Sequence, residues 1–315
     1  MARLLKVAAQ LVLTGLVTWF ILRAVGFSLA ELRAFDLSEM DVSWASIAGS
    51  SLVLLVAFLY SASLWGLMVR EMSAYEVGFV ASLRVFFTAN LGRYLPGKVW
   101  QIAGLAYLAR GEGVPPGTAT GAAILGQAFS LAGATLVGAG VLLGLGRLPS
   151  LGGGWIGVVC LVILVATTFP GILKVLLPLW FRLARQRAPG GFRPDPAFGV
   201  RWLGLYAISW VLQGMAFWWL ARGLGFELSV LEGVPSYPAA YVAGYIALFA
   251  PAGAGIREGI LVVLLGPILG AGAAVLAVIA RLWATFVELL PALLLAGGYL
   301  GGARTEDAEG GKGVG

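Results

Sequence analysis

The chain has 315 residues, of which 60% are hydrophobic and only 11% charged, against about 25% charged in soluble domains. Together with a mean hydropathy of +0.93, this excludes an ordinary soluble enzyme or a nucleic-acid binder, so the net charge of +6 has to be tested first as a membrane-topology signal. The chain has no histidine and one cysteine, Cys160, which excludes a disulfide framework, a His/Cys metal site and a His-containing catalytic dyad or triad.

A helix needs about 20 apolar residues to cross the hydrocarbon core. Six runs qualify: 4–25, 44–69, 119–145, 155–179, 202–221 and 271–300. The first follows Arg3 and Lys6 but is longer than a signal-peptide core and lacks a small-residue cleavage site, so it reads as a span. Two further apolar stretches are interrupted: 85–109 at Leu95-Pro96-Gly97, and 236–269 at Ala250-Pro251-Ala252-Gly253-Ala254-Gly255. Proline removes a helix hydrogen bond and glycine loosens the backbone, so each break predicts two half-helices. Trp19, Trp44, Trp155, Trp180, Trp202 and Trp218 lie near span ends and read as interfacial anchors. The stretch from Arg304 to Gly315 is polar and Gly-rich and predicts disorder.

The order is span, span, broken segment, span, and then the same again. Pro96 and Pro251 are 155 positions apart, and Gln127 and Arg281 are 154 apart. Residues 1–150 and 151–302 therefore read as two membrane repeats, with 303–315 as a cytoplasmic tail. Matching broken segments in two halves are a secondary-transporter pattern, with the site near the breaks.

The positive-inside rule decides how the broken segments run. If both turn back and the N-terminus is cytoplasmic, the inside receives Arg70, Arg84 and Arg110, and the cluster Arg182, Arg185, Arg187, Arg193 and Arg201. The outside keeps Arg23, Arg33, Arg147 and Arg222 with the acidic loop Glu31, Asp36, Glu39 and Asp41. If both segments crossed, the arginine cluster would lie outside. Three crossings per half is an odd number, so the halves are inverted. The expected fold is an all-α polytopic membrane protein of eight hydrophobic segments: two inverted repeats, each with three spanning helices and one re-entrant broken-helix hairpin. The expected location is a bacterial-type inner membrane, with both termini cytoplasmic.

Lys174 lies near an inner span end and can snorkel. Six other charges fall in or beside the breaks or inside the last span: Arg93, Lys98, Arg257, Glu258, Arg281 and Glu288. Each costs about 2.5–3.5 kcal/mol at membrane depth if unpaired, so pairing, hydration or a ligand has to offset it. Four are positive and two negative, and an anion such as phosphate would neutralise the surplus. The first N–H groups of the helix after Pro251 add the positive end of its dipole. Arg281 and Glu288 are seven apart, two helical turns, and share a face. Gln127 stands at the equivalent of Arg281, and Asn90 and Gln101 offer further hydrogen bonds. The predicted substrate-binding set is Arg93, Lys98, Gln127, Arg257, Glu258, Arg281 and Glu288. The alternative is a structural network pairing Arg257 or Arg281 with Glu258 or Glu288. Arg93 and Lys98 have the weakest case, because either can snorkel to the interface.

Gly253-Ala-Gly255 lacks the spacing and the βαβ context of a dinucleotide loop. Gly140-x-x-x-Gly144 and Gly266-x-x-x-Gly270 permit close helix packing. Tyr237, Tyr241 and Tyr245 form an i, i+4, i+8 stripe that reads as packing or interface, with lining of a headgroup site as the lesser reading.

Arg93-Tyr94-Leu95-Pro96-Gly97, the run Pro251-Ala-Gly-Ala-Gly-Ile-Arg257-Glu258, and an arginine on the last span together resemble the transmembrane region of bacterial lysylphosphatidylglycerol synthases. That group is often called flippase-like integral membrane proteins. The resemblance covers about residues 5–300; Ala252-Gly253 stands where the family often has Gly-Gly. It implies movement of an anionic or aminoacylated lipid between leaflets. The chain ends soon after its last span, so the aminoacyl-transfer domain, and with it lipid aminoacylation, is not expected to carry over.

The leading functional reading is a flippase for an anionic phospholipid, an aminoacylated phospholipid or a polyprenyl-phosphate-type lipid. No cofactor or metal is expected, and no nucleotide-binding motif supplies energy. The alternatives are an intramembrane enzyme using Glu258 or Glu288 as general base, against which the missing histidine counts, and a non-transporting partner of a glycosyltransferase or lipid synthase. Expected partners are an anionic membrane lipid, no nucleic acid, and either a second copy of the chain or a lipid- or glycan-synthesis enzyme.

Overall fold

A computed structural model of the chain describes residues 41–73, 75–94, 99–144, 146, 162–165, 197–246, 253 and 255–310, with isolated positions at 169, 171, 175, 178, 179, 182 and 195. Among the described residues all regular structure is helical. The expected span 4–25 lies outside the described residues, as does most of the span 155–179, of which 162–165 are helical.

Helix α1 runs over Trp44–Met72, and Ser43 caps it by accepting the Ser46 N–H. Its 29 residues rise about 43 Å at 1.5 Å each, more than the ~30 Å hydrocarbon core. Serines sit in this apolar helix because their hydroxyls donate back to the preceding turn: Ser50 and Ser51 to the Ile47 carbonyl, Ser61 to Ala57 and Ser63 to Leu59, so no hydroxyl is buried without a partner. Helix α2 (Phe79–Asn90) passes through a 3-10 turn (Leu91–Tyr94) towards α3 (Val99–Gly111). Helix α4 (Pro116–Thr135) continues as a π turn over Leu136–Gly140 and a last helical turn, Val141–Gly144. The second half contains α5 (Phe198–Gly223), α6 (Val230–Ile246), α7 (Ile256–Leu269) and α8 (Gly272–Gly310).

Among the described residues four helices are long and apolar enough to cross a membrane: Trp44–Met72, Pro116–Gly140, Phe198–Gly223 and Gly272–Leu295. These coincide with the predicted spans 44–69, 119–145, 202–221 and 271–300. Helix α8 extends to Gly310, past Arg304, where the sequence predicts disorder. Ala303, Glu306, Ala308 and Glu309 are helix-compatible, and adding turns to an existing helix carries no nucleation cost.

The first interruption begins earlier than the Pro-Gly signal alone suggests. The α-helical pattern stops at Asn90, five residues before Leu95; Leu95-Pro96-Gly97 and Lys98 lie outside the described residues. The reason is a close approach: a Cβ on Gly92 would lie 2.9 Å from the carbonyl carbon and oxygen of Trp100. In the second half α6 ends at Ile246, and Gly253 and Gly255 take positive φ of 68° and 83°, a region open to glycine. There the chain folds back on α6, with Gly253 in backbone contact with Gly244.

Each broken segment is thus a helical hairpin. Helices α2 and α3 touch at Ala89 and Gly104, Gln101 donates to Asn90 at 2.6 Å, and Arg84 pairs with Glu112 at 3.8 Å. At that end of the bundle Glu71, at the foot of α1, pairs with Arg201 and accepts the Trp202 indole N–H at 2.9 Å. At the opposite end the Ser43 N–H donates to the Gly223 carbonyl at 2.8 Å, and the Phe226 ring lies over Gly272. The α2–α3 hairpin therefore opens at the Glu71 end and the α6–α7 hairpin at the Ser43 end.

The apolar core has two main clusters joined by α5. Phe198, Trp202 and Tyr206 pack with α1 to α4, while Trp210, Phe217 and Leu220 pack with α6, α7 and α8. Small residues let the helices approach closely, which stabilises helix pairs where lipid offers no hydrophobic drive. A Cβ on Gly133 would meet the Ala207 nitrogen at 2.9 Å, one on Gly138 the backbone of Ala239, and one on Gly214 the Val234 carbonyl. Pro238 has no N–H to give that carbonyl, and the missing side chain at Gly214 lets α5 come up against it.

Candidate functional site

Two adjoining cavities open beside the hairpins, and both are lined by Phe58, Gln213 and Tyr241. Phe58 is at the midpoint of α1, roughly 20 Å from either helix end at 1.5 Å per residue. The cavities therefore lie at mid-depth of the spans.

The first cavity is lined by Arg257, Glu258 and Arg281. Arg257 is on the first turn of α7, with its guanidinium 5.3 Å from the ring centres of both Tyr237 and Tyr241. Gly244 makes room for it, since a Cβ there would collide with the Arg257 side chain. The tyrosine faces attract the cation and hold the planar group without neutralising it. Tyr241 is fixed in turn by Trp210, at 4.3 Å between ring centres, and by Gln127, whose amide donates to its hydroxyl at 3.1 Å.

Glu258 is 6% exposed. Its Oε2 accepts the Gly255 N–H at 2.6 Å, and its Oε1 lies 3.6 Å from the Arg281 guanidinium. The carboxylate at the N-terminus of α7 thus comes from that helix's own third residue. A carboxylate there satisfies an orphan N–H and meets the positive end of the helix dipole.

The other predicted residues divide. Arg281 lines the first cavity and pairs from α8 with Glu258 of α7, one of the four pairings the sequence leaves open. Gln127 lines the second cavity. Glu288 is 1% exposed but lies two turns further along α8 and lines neither cavity. Arg93 sits in the 3-10 turn after α2, and Lys98 is outside the described residues. Across the first cavity the described lining carries two guanidinium groups against one carboxylate.

Sequence reasoning underrated Tyr241, which lines both cavities, and passed over Gln213, Trp210 and Ser130. Gln213, a lone amide within the apolar α5, was the available signal. Trp210 gave none, because its indole N–H is satisfied by the Ser130 carbonyl at 2.7 Å, a partner visible only in three dimensions.

The family model described as Lysylphosphatidylglycerol synthase TM region matches the chain over residues 7–294. No curated protein matches it significantly.

Proposed function

The chain belongs to the lysylphosphatidylglycerol synthase TM-region family, and from that premise we propose that it carries an anionic phospholipid or polyprenyl-phosphate-type lipid between leaflets, holding the phosphate at Arg257 and Arg281. The observation that carries this reading is the pair of guanidinium groups facing one mid-depth cavity against a single carboxylate. Arginine suits phosphate because its planar fork donates two parallel hydrogen bonds, and its charge is worth more where water is scarce. A cavity at this depth, beside helix breaks in both halves, is where transporters bind their substrates.

In this reading residues 1–150 and 151–302 are inverted repeats, and the two hairpins are re-entrant from opposite faces of a cell membrane. Hairpins that open at opposite ends of the bundle support it. So does the charge bias: Arg70, Arg84, Arg110 and Arg201 gather at the Glu71 end, whereas Arg222 ends α5 at the other. The positive-inside rule makes the Glu71 end cytoplasmic.

The role is transport, not turnover. Both oxygens of Glu258 are engaged, one by a backbone N–H and one by Arg281, which suits a fixed structural carboxylate better than a general base.

The test is a reconstituted-liposome assay with headgroup-labelled phosphatidylglycerol, read by dithionite quenching. The wild-type chain should expose inner-leaflet lipid to quenching, and Arg257→Ala and Arg281→Ala should each slow this about tenfold or more, the worth of one charge-assisted phosphate contact. Transport unchanged in both variants would sink the assignment.

A further inference from the structure

The second cavity continues from the phosphate site past Tyr241. Its described lining differs in kind from the first. Asn90 and Gln101 come from the first hairpin, Gln127 and Ser130 from α4, and Ser61 from α1; none of the described lining residues is Asp, Glu, Lys or Arg. These are uncharged groups that both donate and accept hydrogen bonds. They are only partly spent: Gln101 uses one amide N–H on Asn90, and Gln127 uses one on Tyr241. Trp65 lines the same space, and its buried indole N–H has no acceptor among the described residues. A buried donor without an acceptor costs about 1–3 kcal/mol, so it marks a place where an oxygen from outside the protein is favoured.

Resting on the phosphate reading above, we propose that this chamber takes the headgroup beyond the phosphate, and that the headgroup is uncharged and rich in hydroxyls, a glycerol or a sugar. Hydroxyl groups match side-chain amides and an indole N–H in donor and acceptor balance. A lysyl or other ammonium headgroup would leave water for a chamber whose described lining offers no carboxylate. It would also lie next to Arg257 and Arg281, which repel it. Tyr241 divides the two regions, with Arg257 over its ring and Gln127 on its hydroxyl.

The experiment uses the full-length chain in detergent and measures, by native mass spectrometry, its affinity for four lipids with identical acyl chains. These are phosphatidic acid, phosphatidylglycerol, phosphatidylinositol and lysylphosphatidylglycerol, with phosphatidylcholine as a test of aromatic capture of a cation. Phosphatidylglycerol and phosphatidylinositol should bind about tenfold more tightly than phosphatidic acid, the effect of one or two added hydrogen bonds. Gln101→Leu and Asn90→Leu should erase that preference and leave phosphatidic acid binding unchanged. Gln127→Glu places a carboxylate in the chamber and should shift preference towards lysylphosphatidylglycerol, a gain that a misfolded chain cannot produce. Phosphatidic acid binding as tightly as phosphatidylglycerol overturns this inference alone. So does preferred binding of lysylphosphatidylglycerol or phosphatidylcholine by the wild type, or an unaltered preference in all three variants. Binding of every anionic lipid that Arg257→Ala leaves unchanged overturns the phosphate reading and this inference with it.

Discussion

Glu258 of α7 and Arg281 of α8 meet beside the second hairpin, with the Glu258 carboxylate reaching the Arg281 guanidinium at 3.6 Å and the Gly255 N–H at 2.6 Å. One side chain thereby ties the last long helix to the first turn of α7 and closes that helix's N-terminus. Removing it leaves the Gly255 N–H without its acceptor and takes one carboxylate from Arg281, in a site 6% exposed at Glu258. Glu258→Ala should lower stability by about 1–3 kcal/mol. Glu258→Gln keeps an acceptor for Gly255 and should cost less. Thermal unfolding of the purified variants checks the order; equal melting temperatures for Ala and wild type would contradict it.

Arg257 gains its position from two tyrosine faces at 5.3 Å each. A lysine retains the charge but has no plane to stack and no fork to grip two oxygens. Arg257→Lys should weaken phosphatidic acid binding several-fold, and Arg257→Ala about tenfold or more. Titration of the lipid against detergent-solubilised protein measures both. Full retention in the lysine variant would mean that charge alone matters.

Glycines at helix crossings should divide by what a Cβ would meet. At Gly138 it strikes the Ala239 backbone, and at Gly214 the Val234 carbonyl; backbone cannot rotate away, so each alanine should cost about 1–3 kcal/mol. Gly204 lies within α5 with nothing inside 4 Å, and alanine there should stabilise by up to about 1 kcal/mol through helix propensity. Chemical unfolding in mixed micelles gives all three values. Destabilisation by Gly204→Ala would show that lipid or a partner occupies that face.

The orientation of the hairpins is open to labelling. On a Cys160→Ala background, Glu76→Cys and Gly111→Cys flank the first hairpin, whereas Asp41→Cys and Glu227→Cys lie at the opposite end, and all four native residues are exposed. A membrane-impermeant maleimide applied to intact cells should label the second pair and spare the first. Labelling of Gly111→Cys but not Glu76→Cys would mean that the first broken segment crosses the membrane.

Much of the architecture is legible in one dimension. Residues 44–69 and 202–221 predict α1 and α5 to within a few positions, because apolar length alone decides whether a helix spans. The breaks are legible too, from Pro96 and Pro251, but their extent is not. The helix stops at Asn90 because Gly92 must pass over Trp100, and no local propensity encodes that contact. Of the site, Arg257, Glu258, Arg281 and Gln127 stand out as charged or polar groups among apolar neighbours, while Tyr241 and Trp210 look like packing.

The sequence by itself determined that this is a multi-pass membrane protein, where four of its spans lie, and which few charges resist a role in topology. Those properties depend on transferring each segment from water to lipid, which is nearly additive along the chain. Only the tertiary structure decided how those charges are used. Gln127 reaches Tyr241 across 114 positions, Arg281 takes Glu258 as a partner, and the Gly255 N–H at the start of α7 donates to that same acid. Such pairings depend on which helix faces pack together, and side-chain volume and close glycine contacts between distant segments set that.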